Sequence, residues 1–331
     1  MKALYGIAGG VALAVALMVA PQAEAAMVQA GPTLCPVGVD APARLSLAEL
    51  RKRYGAADDR YMTIDGVELR YRDEGKGPVL LLLHGSRSTL NAWDGVTDRL
   101  KSRYRILRFD QPPAGLSGPL TKEAIAAVGS PEALVAKFLD RLHVTKVTPV
   151  GVSSGGTMAY YFAAAYPERV EAVVLSNTPS DSVAEAKFTV PPALDAATAR
   201  AKQLGVEGHA FWSNYLTYLY GETGRMAPGL IDYYCTMNLR EREANPFGLH
   251  ALTADKNRTA AALKGVRAPV LILWGMRDKI LVPAAADTLA GYLVNAQSRS
   301  FVALDTVGHY PPMESPAAVA DVIDTYLRRN R

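Results

Sequence analysis

Apolar residues along the chain follow two rhythms. One is the short unbroken run, as in Val79-Leu80-Leu81-Leu82-Leu83, which suits a parallel strand buried on both faces. Similar runs stand at 106–109, 146–150, 172–175, 270–274 and 300–304. The other is the amphipathic spacing of helices, which predicts them at 92–101, 131–142, 155–166, 283–293 and 316–329. Strand and helix alternate in this way only in an α/β protein with a mostly parallel, doubly wound sheet. Residues 61–64 and 67–71, separated by Asp65-Gly66, predict an antiparallel hairpin at the entry to that sheet. Before it, Ser46 opens a helix-like stretch reaching Leu50. Between Ser176 and Pro269 no strand-like run occurs, an interval too long for a plain connection. It predicts an inserted helical cap over the sheet's carboxyl edge.

Lys2, a nearly uninterrupted apolar run from Ala3 to Ala20, and Ala23-Glu24-Ala25 have the form of a signal peptide cut after Ala25. An uncleaved membrane anchor is the alternative. The organisation predicted is therefore a leader at 1–25, an arm at 26–60, a core at 61–178 and 266–331, and a cap at 179–265. Export implies a periplasmic or secreted protein with no stable membrane association once the leader is removed. The two cysteines, Cys35 and Cys235, would then meet an oxidising compartment, where they form a bridge or remain two thiols. An apolar share of 49% and a charged share of 21% are those of a globular domain. The net charge of +4 comes from bases dispersed among a similar number of acids, so no basic face for nucleic acid is expected.

The most informative stretch is Val150-Gly151-Val152-Ser153-Ser154-Gly155-Gly156. A strand runs into Gly-x-Ser-x-Gly and straight on into a helix, a turn sharp enough to expose the hydroxyl of Ser153 at the helix N-terminus. A serine hydroxyl is a weak nucleophile and needs a base, which in turn needs an orienting acid. Of five histidines, His309 follows the last strand and precedes the final helix, where a base would stand above the sheet. Asp278 follows the preceding strand in Gly275-Met276-Arg277-Asp278, and Ser153, Asp278, His309 is the chain order for such a site. Asp181 is the fallback acid. For the developing oxyanion, the expected donors are the backbone N–H groups of Ser154 and of Ser86, in the His84-Gly85-Ser86 turn. His84 itself is expected to be structural. No His-x-x-x-His or comparable pattern offers a metal site, and no cofactor is expected.

His84-Gly85-Ser86, Gly151 to Gly155, Gly275 to Asp278 and Gly308-His309, in this order, make the stretch from Ile64 onward resemble the α/β-hydrolase superfamily with a cap. The resemblance implies a serine hydrolase acting on a small-molecule ester, thioester or lactone. It departs at Pro113, where members usually carry glycine, so the loop after 106–109 is expected to be stiffer. Ser153 sets the chain apart from members with an aspartate nucleophile. Carbon–carbon cleavage of a diketone-like substrate, as some capped members perform, is the second reading. A catalytically silent binding protein is a third. The cap interval is rich in aromatics, among them Tyr233, Tyr234 and Phe247. Phe211, Trp212 and Tyr215 are candidates for lining an apolar substrate tunnel. With Tyr218, Phe211 and Tyr215 fall on one helical face that could equally pack the cap onto the core.

Overall fold

Asp65 and Gly66 both take left-handed backbone, with φ of 49° and 85°, the two-residue turn that an Asp-Gly pair favours between antiparallel strands. The structure is a computed structural model describing residues 33–180, 189–240, 252–253 and 255–330. In it this turn joins β1 (Arg60–Ile64) to β2 (Val67–Glu74), with Ile64 opposite Val67. The leader, Asp181 and Phe247 lie outside the described residues.

The remaining strands are β3 (Val79–Leu83), β4 (Arg105–Phe109), β5 (Thr148–Val152), β6 (Val173–Ser176), β7 (Val270–Gly275) and β8 (Arg299–Leu304). Among the described residues they form one eight-stranded sheet in the order β1-β2-β4-β3-β5-β6-β7-β8. β2 runs antiparallel to β1 and β4, and the other neighbouring pairs are parallel. The order reverses at β3, which has β4 on one side and β5 on the other. A crevice beyond the carboxyl ends of β3 and β5 follows from that reversal, the usual site for a ligand in such a sheet.

Helices α1 (Leu47–Tyr54), α2 (Asp94–Leu100), α3 (Lys122–Val128), α4 (Pro131–Arg141) and α5 (Ser154–Ala165) belong to the first part of the chain. Next come α6 (Pro192–Leu204), α7 (His209–Leu219), α8 (Leu230–Met237) and α9 (Lys256–Gly265). The last are α10 (Ala284–Tyr292), α11 (Pro311–Glu314) and α12 (Pro316–Arg329). Ser46 caps α1: its hydroxyl accepts the Glu49 N–H at 3.3 Å, and the Glu49 carboxylate accepts the Ser46 N–H at 2.8 Å. This reciprocal pair satisfies N-terminal donors that a helix otherwise leaves open.

β3 shows why its sequence has no polar interruption. Leu81 and Leu83 enter a core shared with Phe138 of α4 and Phe162 of α5, while Leu80 and Leu82 enter another with Val96 of α2 and Ile323 of α12. Successive side chains point to opposite faces of a strand, so both faces demand leucine here. A third cluster builds the cap from Trp212, Leu216, Tyr233 and Tyr234, joined by Cys35 and Leu50 of the arm. α9, at the end of the same interval, instead buries Leu263 in the α4/α5 core.

Cys35 and Cys235 form a disulfide with their Cα atoms 6.1 Å apart, tying the arm to α8. The bridge spans a sequence separation of 200, and closing so long a loop confines the unfolded chain, worth about 5 kcal/mol on the chain-entropy account. The boundaries differ from expectation where partners decide them. The strand expected at 146–150 begins at Thr148 and runs to Val152, because its pairing with β3 and β6 extends to Gly151 and Val152. The helix expected from 92 starts as a 3-10 turn, Leu90–Trp93, since Asp110 accepts the Leu90 N–H at 2.7 Å.

Candidate active site

Ser153 stands between β5 and α5 with φ 53° and ψ −125°, a conformation that ordinarily costs a residue with a side chain about 1–3 kcal/mol. Its surroundings hold it there. A Cβ on Gly151 would run into the backbone of Gly155, and one on Gly155 into the carbonyls of Leu83 and His84. The Ser153 N–H donates to Ser176 O at 3.0 Å. The hydroxyl therefore rises above the sheet at the first turn of α5.

His309 reaches it from the loop after β8. Its Nε2 lies 3.1 Å from Ser153 Oγ, and its Nδ1 lies 2.7 Å from Asp278 Oδ2. With Nδ1–H donating to the carboxylate, Nε2 is the acceptor for the serine proton. Asp278 is held on both oxygens. Oδ1 accepts the N–H groups of Ile280 at 2.7 Å and Leu281 at 2.8 Å, and Oδ2 also accepts Asn177 Nδ2 at 2.7 Å. Asn177 Oδ1 in turn accepts the Gly275 N–H at 2.9 Å. The structure thus brings Ser153, His309 and Asp278 together and adds Asn177, which sequence reasoning missed. No sequence pattern singled it out: its left-handed backbone, φ 40° one residue past β6, is a property of the fold.

Ser86 and Ser154 are adjacent, with Ser86 Oγ donating to Ser154 Oγ at 3.1 Å. Ser154 opens α5, so its N–H has no acceptor within the helix. The neighbouring Gly85 N–H is engaged, donating to Tyr310 Oη at 2.6 Å. His84 is structural: Nδ1 bonds Gly85 O at 2.8 Å, and Nε2 accepts the Gln111 N–H at 2.8 Å. Burial pushes its imidazole below the usual range, which keeps it neutral. Asp110 steadies this loop and the next, accepting the N–H groups of Leu90 and Leu116, each at 2.7 Å.

The three cap candidates divide. Phe211 and Tyr215 stack at 5.4 Å, and the Arg87 guanidinium lies 5.2 Å from the first ring and 5.8 Å from the second. Arg87 follows Ser86 and pairs with Glu207 of the cap, so these two rings border the His84-Gly85-Ser86 turn. Trp212 is fully buried within the cap, against Phe211, Tyr215 and Tyr234. Two further tyrosines hold the same turn: Tyr234 bonds Ser88 at 2.7 Å and Tyr233 bonds Thr89 at 2.8 Å.

Ser153 is only 7% exposed. A cavity of ≈ 480 Å³ lies against Asp278 and Lys279, lined on the cap side by Leu194, Asn214 and Tyr218. Among the described residues no group of three or more His, Cys, Asp or Glu side chains could hold a metal ion, and no helix is long and apolar enough to cross a membrane.

Residues 78–316 match the alpha/beta hydrolase fold family. The chain is 26% identical over 290 residues to the 2-hydroxy-6-oxononadienedioate/2-hydroxy-6-oxononatrienedioate hydrolase of Burkholderia vietnamiensis, covering 83% of this chain and 97% of the relative. It is 27% identical over 252 residues to the pimeloyl-[acyl-carrier protein] methyl ester esterase of Nitrosomonas europaea, covering 76% and 96%. Among solved structures, a thermophilic esterase from Thermogutta terrifontis superposes with a TM-score of 0.62 at 27% identity, covering 83% of this chain and 99% of that one.

Proposed function

Since the chain belongs to the alpha/beta hydrolase fold family, we propose that it is a serine hydrolase that cleaves a small or medium-sized carboxylic ester, thioester or lactone through an acyl-enzyme on Ser153. The observation that carries this reading is the continuous relay from Asp278 through His309 to Ser153, at 2.7 and 3.1 Å. In this mechanism Ser153 Oγ attacks the carbonyl carbon while its proton passes to His309 Nε2. The N–H groups of Ser86 and Ser154 hold the oxyanion, as preorganised donors do at little cost in reorganisation. Collapse expels the alkoxide or thiolate, which takes the proton from His309. Water then attacks the acyl carbon with His309 again as base, releasing the acid and restoring Ser153.

The test pairs a series of p-nitrophenyl esters of rising acyl length with a fluorophosphonate probe. Turnover of at least one ester, probe attachment at Ser153 and indifference to chelators are expected. Absence of labelling would sink the reading and favour a binding protein. The Burkholderia relative supports a second reading, carbon–carbon cleavage. A vinylogous diketone hydrolysed much faster than every ester would establish it.

We further propose a periplasmic or secreted location, on the pattern of residues 1–25 and the Cys35–Cys235 disulfide, since disulfides persist in oxidising compartments. Sequencing of the mature protein is expected to begin at Ala26. A chain that begins at Met1 would favour the membrane-anchor reading instead.

A further inference from the structure

The serine-hydrolase reading uses His309 but does not explain what holds its loop. The side chain of Glu314, at the end of α11, is completely buried, with 0% exposed. Both of its oxygens are occupied. Oε2 accepts the N–H groups of Gly308 at 2.7 Å and Gly221 at 3.0 Å, while Oε1 accepts the Glu222 N–H at 2.9 Å. Arg225 Nη1 lies 3.5 Å from Oε1, and the same guanidinium donates to Thr306 O at 3.3 Å and Thr306 Oγ1 at 2.8 Å. One carboxylate thus gathers the residue before the base and two successive residues of the cap segment after α7.

The two backbones are in direct contact. The His309 N–H donates to Leu219 O at 2.7 Å. A Cβ on Gly308 would meet the carbonyl of Leu219, and one on Gly221 would come within 2.5 Å of Thr306 O and 2.8 Å of the Gly308 nitrogen. Neither glycine therefore tolerates a side chain. Gly308 and Gly221 present their N–H groups to the same oxygen, and only a fixed acceptor reconciles two donors converging there. A buried carboxylate that takes several backbone N–H groups makes strong, directional bonds.

We infer that Glu314 is a positioning residue for His309, clamping the Leu219–Arg225 segment of the cap onto the loop that carries the base. The cap is then part of the catalytic framework at this seam, not a lid that swings free of it. The inference rests on the serine-hydrolase reading, and its test separates the two.

Glu314→Gln keeps the shape but turns an NH2 toward backbone donors. Displacing a catalytic group by about 1 Å can cost up to about 100-fold, so kcat is expected to fall about 10- to 100-fold with KM nearly unchanged. The rate of fluorophosphonate labelling of Ser153 should fall in parallel. The far-downfield proton resonance expected between His309 Nδ1 and Asp278 should shift or broaden. Glu314→Asp, which keeps the charge, is expected to recover part of the labelling rate. Arg225→Met, which leaves the three N–H bonds in place, should label within about threefold of the parent while melting at a lower temperature, because a buried carboxylate loses its charged neighbour.

If wild-type protein is not labelled, the underlying reading fails and the inference with it. If wild type labels and folded Glu314→Gln matches its rate and its downfield resonance, the inference alone is overturned. Failure of both Glu314 variants to fold, judged by circular dichroism, would also overturn it, making Glu314 a residue of folding.

Discussion

Replacing Ser153 with alanine is expected to lower kcat by about 10,000- to 1,000,000-fold, as loss of a nucleophile in a coupled Ser–His–Asp set does. The fold should be unaffected. Alanine at φ 53° meets the same backbone strain that Ser153 already bears, and the N–H donated to Ser176 O remains. Substrate binding should change little, because the hydroxyl removed is a small part of the contact surface. What activity persists would come from the N–H groups of Ser86 and Ser154 polarising the carbonyl toward water. Steady-state rates on the best ester, a thermal melt and mass spectrometry after fluorophosphonate treatment check these points together. A variant that retains turnover within tenfold of wild type would show that the nucleophile lies elsewhere.

Asp278→Asn should be nearly as damaging, with kcat lower by about 10,000-fold. The cause is a conflict of donors. Oδ1 receives the N–H groups of Ile280 and Leu281, and Oδ2 receives Asn177 Nδ2 and His309 Nδ1. Asparagine has one acceptor oxygen, and the two backbone N–H groups claim it. Its NH2 then faces His309, which can accept only by moving its proton to Nε2. In that tautomer the imidazole cannot take the proton of Ser153. Asn177 loses an acceptor as well, so stability should fall by about 1–3 kcal/mol, the cost of an unsatisfied buried group. Asn177→Ala leaves the carboxylate in place and should cost no more than about tenfold in kcat. Should Asp181→Asn prove the damaging change instead, with Asp278→Asn active, the acid has been misassigned.

Much of this protein was legible before any coordinates. The run at 79–83 reads as a doubly buried strand because both of its faces meet apolar layers. The Gly-x-Ser-x-Gly elbow is legible because its demand is local: the backbone of Gly155 approaches Gly151 too closely for a side chain. Asp278 and His309 followed from their places after β7 and β8, since a parallel sheet delivers successive strand ends to one edge. Trp212 shows the limit. Its spacing within an aromatic stretch did not distinguish lining a tunnel from filling a core, and it packs inside the cap.

What the chain by itself determined is therefore whatever depends on neighbours in sequence: the strands, the helix caps, the Asp-Gly turn and the strained serine. The tertiary structure decided which distant groups share a polar contact. Asn177 meets Asp278 across 101 residues, Glu314 meets Gly221 across 93, and Tyr310 meets Gly85 across 225. No local pattern marks such a residue, because its role is set by the donors or acceptors that chain folding places beside it. A buried polar atom must find a partner to offset its lost hydration, and only the packed structure determines which partner is within reach.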